Sequence, residues 1–122
     1  MFIKSNNKPI YDLEERTFDF AKNVRSFLKT LPRTIINKED GIQLIRSSGS
    51  VGANYIEANA ALSKKDFLMR IKISRKEAKE SLYWLKLLRE TNDIANTKEL
   101  NGLINESVEL VKILSSILDK TK

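Results

Sequence analysis

The chain has 122 residues, enough for one domain with its own core and too few for separate catalytic and regulatory units. It contains no Cys and no His, which excludes a thiolate nucleophile, a disulfide framework, a Cys/His zinc site and imidazole acid-base chemistry. The 22 basic residues outnumber the 16 acidic ones, and the net charge of +6 favours polyanionic partners such as nucleic acid.

Residues 1–10 lack the apolar run of a signal peptide, since Lys4 and Lys8 bracket a polar stretch, and no window approaches a membrane span. A soluble cytoplasmic protein with frayed ends at residues 1–10 and at the final Thr and Lys is expected. Two Pro and four Gly leave few breakers between long segments rich in Leu, Ile, Lys and Glu, so the segments read as helices. The first spans about residues 12–31. Leu13, Thr17, Phe20, Ala21, Val24, Phe27, Leu28 and Leu31 follow the three-and-four spacing of one helical face, and Pro32 ends the run.

The second helix is expected over about residues 38–61, capped by Asn37, with Glu39 and Asp40 near its positive end. Ile42, Ile45, Gly49, Ala53, Ile56 and Ala60 are read as its inward face. Ser63, with Asp66 three residues on, opens a third helix over about residues 64–91, with Phe67, Ile71, Ser74, Ala78, Leu82 and Leu85 inward. Asn96 with Glu99 makes another capping box before a fourth helix over about residues 97–119, whose core side carries Leu100, Leu103, Ile104, Ser107, Val111, Leu114 and Leu118. Four such helices on short connections predict an all-α, antiparallel, up-down-up-down four-helix bundle.

A second apolar stripe runs opposite the first. On helix three it comprises Met69, Ile73, Trp84 and Leu87, and on helix two Leu44, Val51, Tyr55 and Ala58. One core cannot bury both, so Leu44, Val51, Tyr55, Met69, Ile73, Trp84 and Leu87 are expected to mediate self-association.

Charge is concentrated on helix three. Between Lys64 and Lys79 lie seven basic residues against Asp66 and Glu77, and Lys65, Lys72, Arg75, Lys76, Lys79 and Lys86 share one arc of the helical projection. Such a row can follow a phosphate backbone, and in an assembly its copies would reinforce one another. No base-reading device accompanies it, so recognition of shape or backbone is expected. Ser47-Ser-Gly-Ser-Val-Gly52 has neither the spacing nor the Lys-Ser/Thr ending of a phosphate loop, and a KH-type loop would need an α/β setting. Arg46, Ser50, Asn54 and Glu57 line the edge of the expected inward face of helix two. Without a nucleophile, metal set or second carboxylate beside them, a structural polar network completed by Glu80 is the better reading than a catalytic constellation.

Gln43-Leu-Ile-Arg-Ser-Ser-Gly-Ser-Val-Gly-Ala-Asn-Tyr-Ile-Glu57-Ala, with Phe67 and Ile73-Ser-Arg-Lys-Glu-Ala-Lys-Glu80-Ser-Leu-Tyr-Trp-Leu85, resembles the bacterial four-helix bundle family of 23S ribosomal RNA intervening-sequence proteins. That family includes the accessory variability determinant of diversity-generating retroelements. Arg46, Ser50, Asn54, Glu57 and Glu80 fall on the family's marked positions, whereas Ala58 stands where many members have Gly. The resemblance implies a homopentameric ring with a basic surface, nucleic-acid association and, in the retroelement branch, a reverse-transcriptase partner. It implies neither a catalytic role nor a cofactor or metal.

Overall fold

The computed structural model describes residues 12–93 and 97–121. They form four helices, α1 (Leu13–Leu28), α2 (Ile35–Asn59), α3 (Lys64–Thr91) and α4 (Thr97–Thr121). Each helix packs against its neighbours in sequence, and α1 meets α4 to close the square, with no diagonal pairing among the described residues. This is the expected all-α four-helix bundle. Phe20, Val24, Phe27, Leu44, Val51, Ile71, Leu85, Leu88, Leu100, Leu110 and Leu114 fill its centre.

The helix starts show how local chemistry sets the boundaries. The carboxylate of Asp12 accepts from the Glu14 amide at 3.1 Å, and Ser63 Oγ accepts from the Asp66 amide at 3.1 Å, so α1 and α3 begin where a side chain satisfies an otherwise unpaired donor. α2 begins three residues earlier than the spacing predicts. Thr34 is its cap, accepting from the Asn37 amide at 3.1 Å, and Asn37 instead lies inside the first turn. Its buried amide donates to Pro32 O and exchanges hydrogen bonds with Asn92, each 2.9 Å long, tying the α1–α2 turn to the end of α3. The predicted cap Asn96 and the segment 1–10 fall outside the described residues. α4 continues to Thr121, whose hydroxyl donates to Ile117 O, beyond the end expected at residue 119.

α1 stops at Leu28 rather than Leu31. The amides of Thr30 and Leu31 bond three residues back, to Phe27 and Leu28, in a tightened turn that Pro32 cannot extend as helix. Leu31 nonetheless stays buried beneath this turn.

The largest departure from expectation is the rotation of α2. Leu44, Val51, Tyr55 and Ala58, read from the sequence as an outer stripe, are buried in the core, with Leu44 and Val51 at 0% exposure. Ile42, Ile45 and Ile56, read as inward, face solvent. The reason lies in the small residues beside the buried set. Ser47, Ser48 and Gly52 are also buried and allow α2 to lie close to its neighbours. A Cβ at Gly52 would stand 2.8 Å from Thr17 Oγ1 on α1, and Ser74 Oγ on α3 donates to Val51 O at 2.7 Å. Ser81 Oγ lies 2.9 Å from Ser47 Oγ. The hydroxyls satisfy one another and the backbone across this seam, so their burial carries little desolvation cost.

Candidate nucleic-acid interface

The solvent-facing edge of α3 is built by one repeating position. Lys65, Met69, Lys72, Lys76, Lys79, Tyr83 and Lys86 are all exposed and recur every three or four residues, which places them in one ridge. At 1.5 Å per residue the ridge from Lys65 to Lys86 is about 30 Å long. None of its five lysines forms an ion pair among the described residues.

Of the four acids of α3, Asp66 lies beside Lys65 at the start of the ridge, and the other three are occupied elsewhere. On the α2-facing flank of α3, Arg46 pairs with Glu80 and stands 3.7 Å from Glu77, while Glu90 accepts from Arg89 Nε at 3.0 Å. The potential of the ridge is therefore set by its lysines, and α3 as a whole carries nine basic side chains against four acidic ones. Lys65, Met69, Lys72, Ile73 and Lys76 also line a shallow depression of about 460 Å³.

Arg75, grouped with these lysines by its sequence position, leaves the ridge. It turns toward α4, where its Nη1 donates to Ser115 Oγ at 3.4 Å. Arg70 turns the other way and donates to Asn54 Oδ1 on α2 at 3.2 Å. The basic surface is thus a single lysine row braced by two arginines that reach the adjacent helices.

The polar line of α2 divides. Arg46 joins Glu77 and Glu80, and Asn54 joins Arg70 while donating to Ser50 O at 2.9 Å. Glu57 is exposed and stands apart from both groups. Glu77 Oε1 is buried with no hydrogen-bond partner among the described residues, held by the charge of Arg46 alone. On the opposite side, Arg16 Nε and Nη2 donate to Glu106 at 2.7 and 2.9 Å, clamping α1 to α4 at the loosest helix pairing of the bundle. These hydrogen bonds raise the pKa of Arg16 above its ordinary value.

The predicted association residues do not form one surface. Leu44, Val51 and Tyr55 are core, because the small residues of α2 turn that stripe inward. Of the α3 set, Met69 is exposed, whereas Trp84 is half-buried against the core, and Ile73 and Leu87 are half-buried. Most of the exposed large apolar side chains among the described residues lie instead along α1 and α2. Ile42 and Ile56 are each 49% exposed and Phe18 is 67% exposed. Two open apolar clefts flank this stripe: one of about 570 Å³ beside Leu28, Pro32, Ile42 and Ile45, the other of about 440 Å³ beside Phe18, Ala21, Ala53 and Ile56. Isoleucines at three-and-four spacing are the sequence signal of this stripe, which faces solvent rather than the core.

No group of three or more acidic side chains is placed to hold a metal ion among the described residues. No helix among them is long and apolar enough to cross a membrane. No curated protein matches the chain. A crystal structure of a protein of unknown function from the S23 ribosomal protein family of Bacteroides thetaiotaomicron VPI-5482 superposes with a TM-score of 0.75 at 33% identity, covering 88% of this chain and 98% of that one. The family model described as 23S rRNA-intervening sequence protein matches residues 11–116.

Proposed function

The chain belongs to the 23S rRNA-intervening sequence protein family, and from that premise we propose that it is a non-enzymatic, cytoplasmic, self-associating bundle that binds structured RNA or an RNA–DNA hybrid through the lysine ridge of α3. The observation that carries the reading is the row of Lys65, Lys72, Lys76, Lys79 and Lys86, exposed and without ion-pair partners among the described residues, while Arg46 and Arg89 occupy three of the four acids of the same helix. Five aligned lysines without ion-pair partners repel one another, and a polyphosphate would relieve that repulsion. The non-enzymatic part is supported by the arrangement of the polar line: Arg46 is engaged by Glu77 and Glu80 while Glu57 is exposed and apart from them, which leaves no acid-base pair facing a common substrate position.

Self-association supports the same reading. Ile42, Ile45, Ala53 and Ile56 keep helical register along one side of α2 beside Phe18 rather than being scattered singly, and a second copy of the chain is the proposed cover of this stripe. A homopentameric ring is the assembly that the family resemblance implies, and it would multiply the lysine ridges. A filter-binding titration at low salt tests the reading. Retention of RNA that weakens as salt rises is expected, and no retention of either RNA or DNA at micromolar protein overturns it.

The same apolar stripe favours a second reading, a protein-binding adaptor for a partner such as a reverse transcriptase. Recovery of a partner from lysate that survives nuclease treatment distinguishes it from a complex bridged by nucleic acid.

A further inference from the structure

Tyr83 interrupts the lysine ridge. It follows Lys79 by four residues and precedes Lys86 by three, so its Cα is offset from theirs by about 6 and 4.5 Å along the helix axis on the same exposed ridge. The residue is 58% exposed, and neither its ring nor its hydroxyl is taken up by the core or by a hydrogen bond among the described residues. Trp84 meets it edge-on, with centroids 5.1 Å apart and planes at 80°. Trp84 is itself packed against the core, so this contact restrains the tyrosine from one side and leaves the rest of its ring to solvent.

Resting on the nucleic-acid reading above, we infer that Tyr83, between Lys79 and Lys86, is a stacking subsite for an unpaired nucleobase. Lysines that hold consecutive phosphates and an aromatic face that receives the intervening base are the two components of single-strand recognition. A duplex offers the same phosphates but keeps its base faces stacked on one another, so only an unpaired nucleotide, such as one in a loop, bulge or free end, can use the tyrosine. The ridge then has two functions at different places. Lys65, Lys72 and Lys76 hold backbone of any form, and the Lys79–Lys86 segment selects strand that is locally open. The subsite carries no base-specific hydrogen-bonding frame, so it prefers unpaired over paired nucleotides without reading their identity.

The test compares fluorescence anisotropy titrations of a labelled single-stranded oligouridylate and a blunt RNA duplex of equal length, at low salt. Tyr83→Ala is expected to weaken the single strand by about 5- to 150-fold and the duplex by less than about 2-fold. Tyr83→Phe keeps the ring and is expected to retain single-strand affinity. Trp84, the only tryptophan, supplies a second readout, since a base seated on Tyr83 should change its emission. Equal losses on both ligands, or single-strand binding that Lys79→Ala weakens and Tyr83→Ala does not, would overturn the subsite while leaving the lysine ridge intact. Failure of both oligonucleotides to bind the unaltered protein would overturn the ridge and the subsite together.

Discussion

α2 and α3 are the most intimately packed pair of the bundle, yet they treat solvent in opposite ways. α3 places lysines outward and apolar side chains inward, as an amphipathic helix should. α2 places isoleucines outward and turns Ser47, Ser48 and Gly52 inward together with Leu44, Val51 and Tyr55. Hydrophobicity alone therefore does not decide which side of a helix is the core. In α2 the decision rests on closeness of approach, because a seam of small residues lets the backbones meet and reach each other's hydroxyls. An apolar side left over after that packing needs another cover, and a second protomer is the one proposed.

The contrast is open to attack at its strongest point first. Ile45→Asp combined with Ile56→Asp would place carboxylates on the outer stripe of α2. Each charge buried in an interface costs about 3–5 kcal/mol, so sedimentation should show the assembly falling apart while circular dichroism reports intact helices. Should the unaltered protein sediment as a 14.0 kDa monomer at micromolar concentration, the proposed cover is wrong.

Adjacent residues of α2 sharpen the comparison. Leu44→Ala should destabilise the fold by about 2–5 kcal/mol in urea unfolding because Leu44 is fully buried. Ile45→Ala, measured in the dissociated background, should change stability by no more than about 0.5 kcal/mol. Comparable losses at both positions would mean that α2 is rotated differently.

The glycines give effects of opposite sign. Gly52→Ala drives a methyl group against Thr17 and should cost about 1–3 kcal/mol through overpacking, partly offset by the better helix propensity of alanine. Gly102 has open space where a Cβ would stand, so Gly102→Ala should stabilise the protein by about 0.5–1 kcal/mol, read as a higher melting temperature.

Three of the four helix faces were legible in the sequence. In α1 and α4 a dominant apolar stripe sets the core side, in α3 the stripe of Ile71, Ala78 and Leu85 prevails over the second one that includes Met69, and Phe20, Ile71 and Leu114 lie where their spacing places them. α2 offered two apolar stripes, and the one richer in isoleucine was the outer one. Ser47, Ser48 and Gly52, aligned with Leu44 and Val51, were the contrary signal, because small polar residues on one side of a long helix mark close packing. The start of α2 was misplaced for a related reason. Asn37 has the chemistry of a cap, but the amide of Asn92, just past the end of α3, is its partner, a pairing visible only in three dimensions.

The lysine ridge was readable in position because lysines seek solvent wherever the core lies. The departure of Arg75 was not, since it depends on Ser115 in another helix. The division of the Arg46, Ser50, Asn54 and Glu57 line was hidden in the same way. Arg70 and Glu77, which decide how Asn54 and Arg46 are used, carry no local sign of doing so.

The most direct test of the account is the salt dependence of RNA affinity for the unaltered protein and for the variant combining Lys72→Ala, Lys76→Ala and Lys79→Ala. Phosphate contacts predict a linear fall of log K with log salt, and losing three of them should reduce the slope by roughly 2–3 while weakening binding at every salt concentration. A slope unchanged by the three substitutions would show that RNA is held elsewhere, and would contradict the assignment of the α3 ridge.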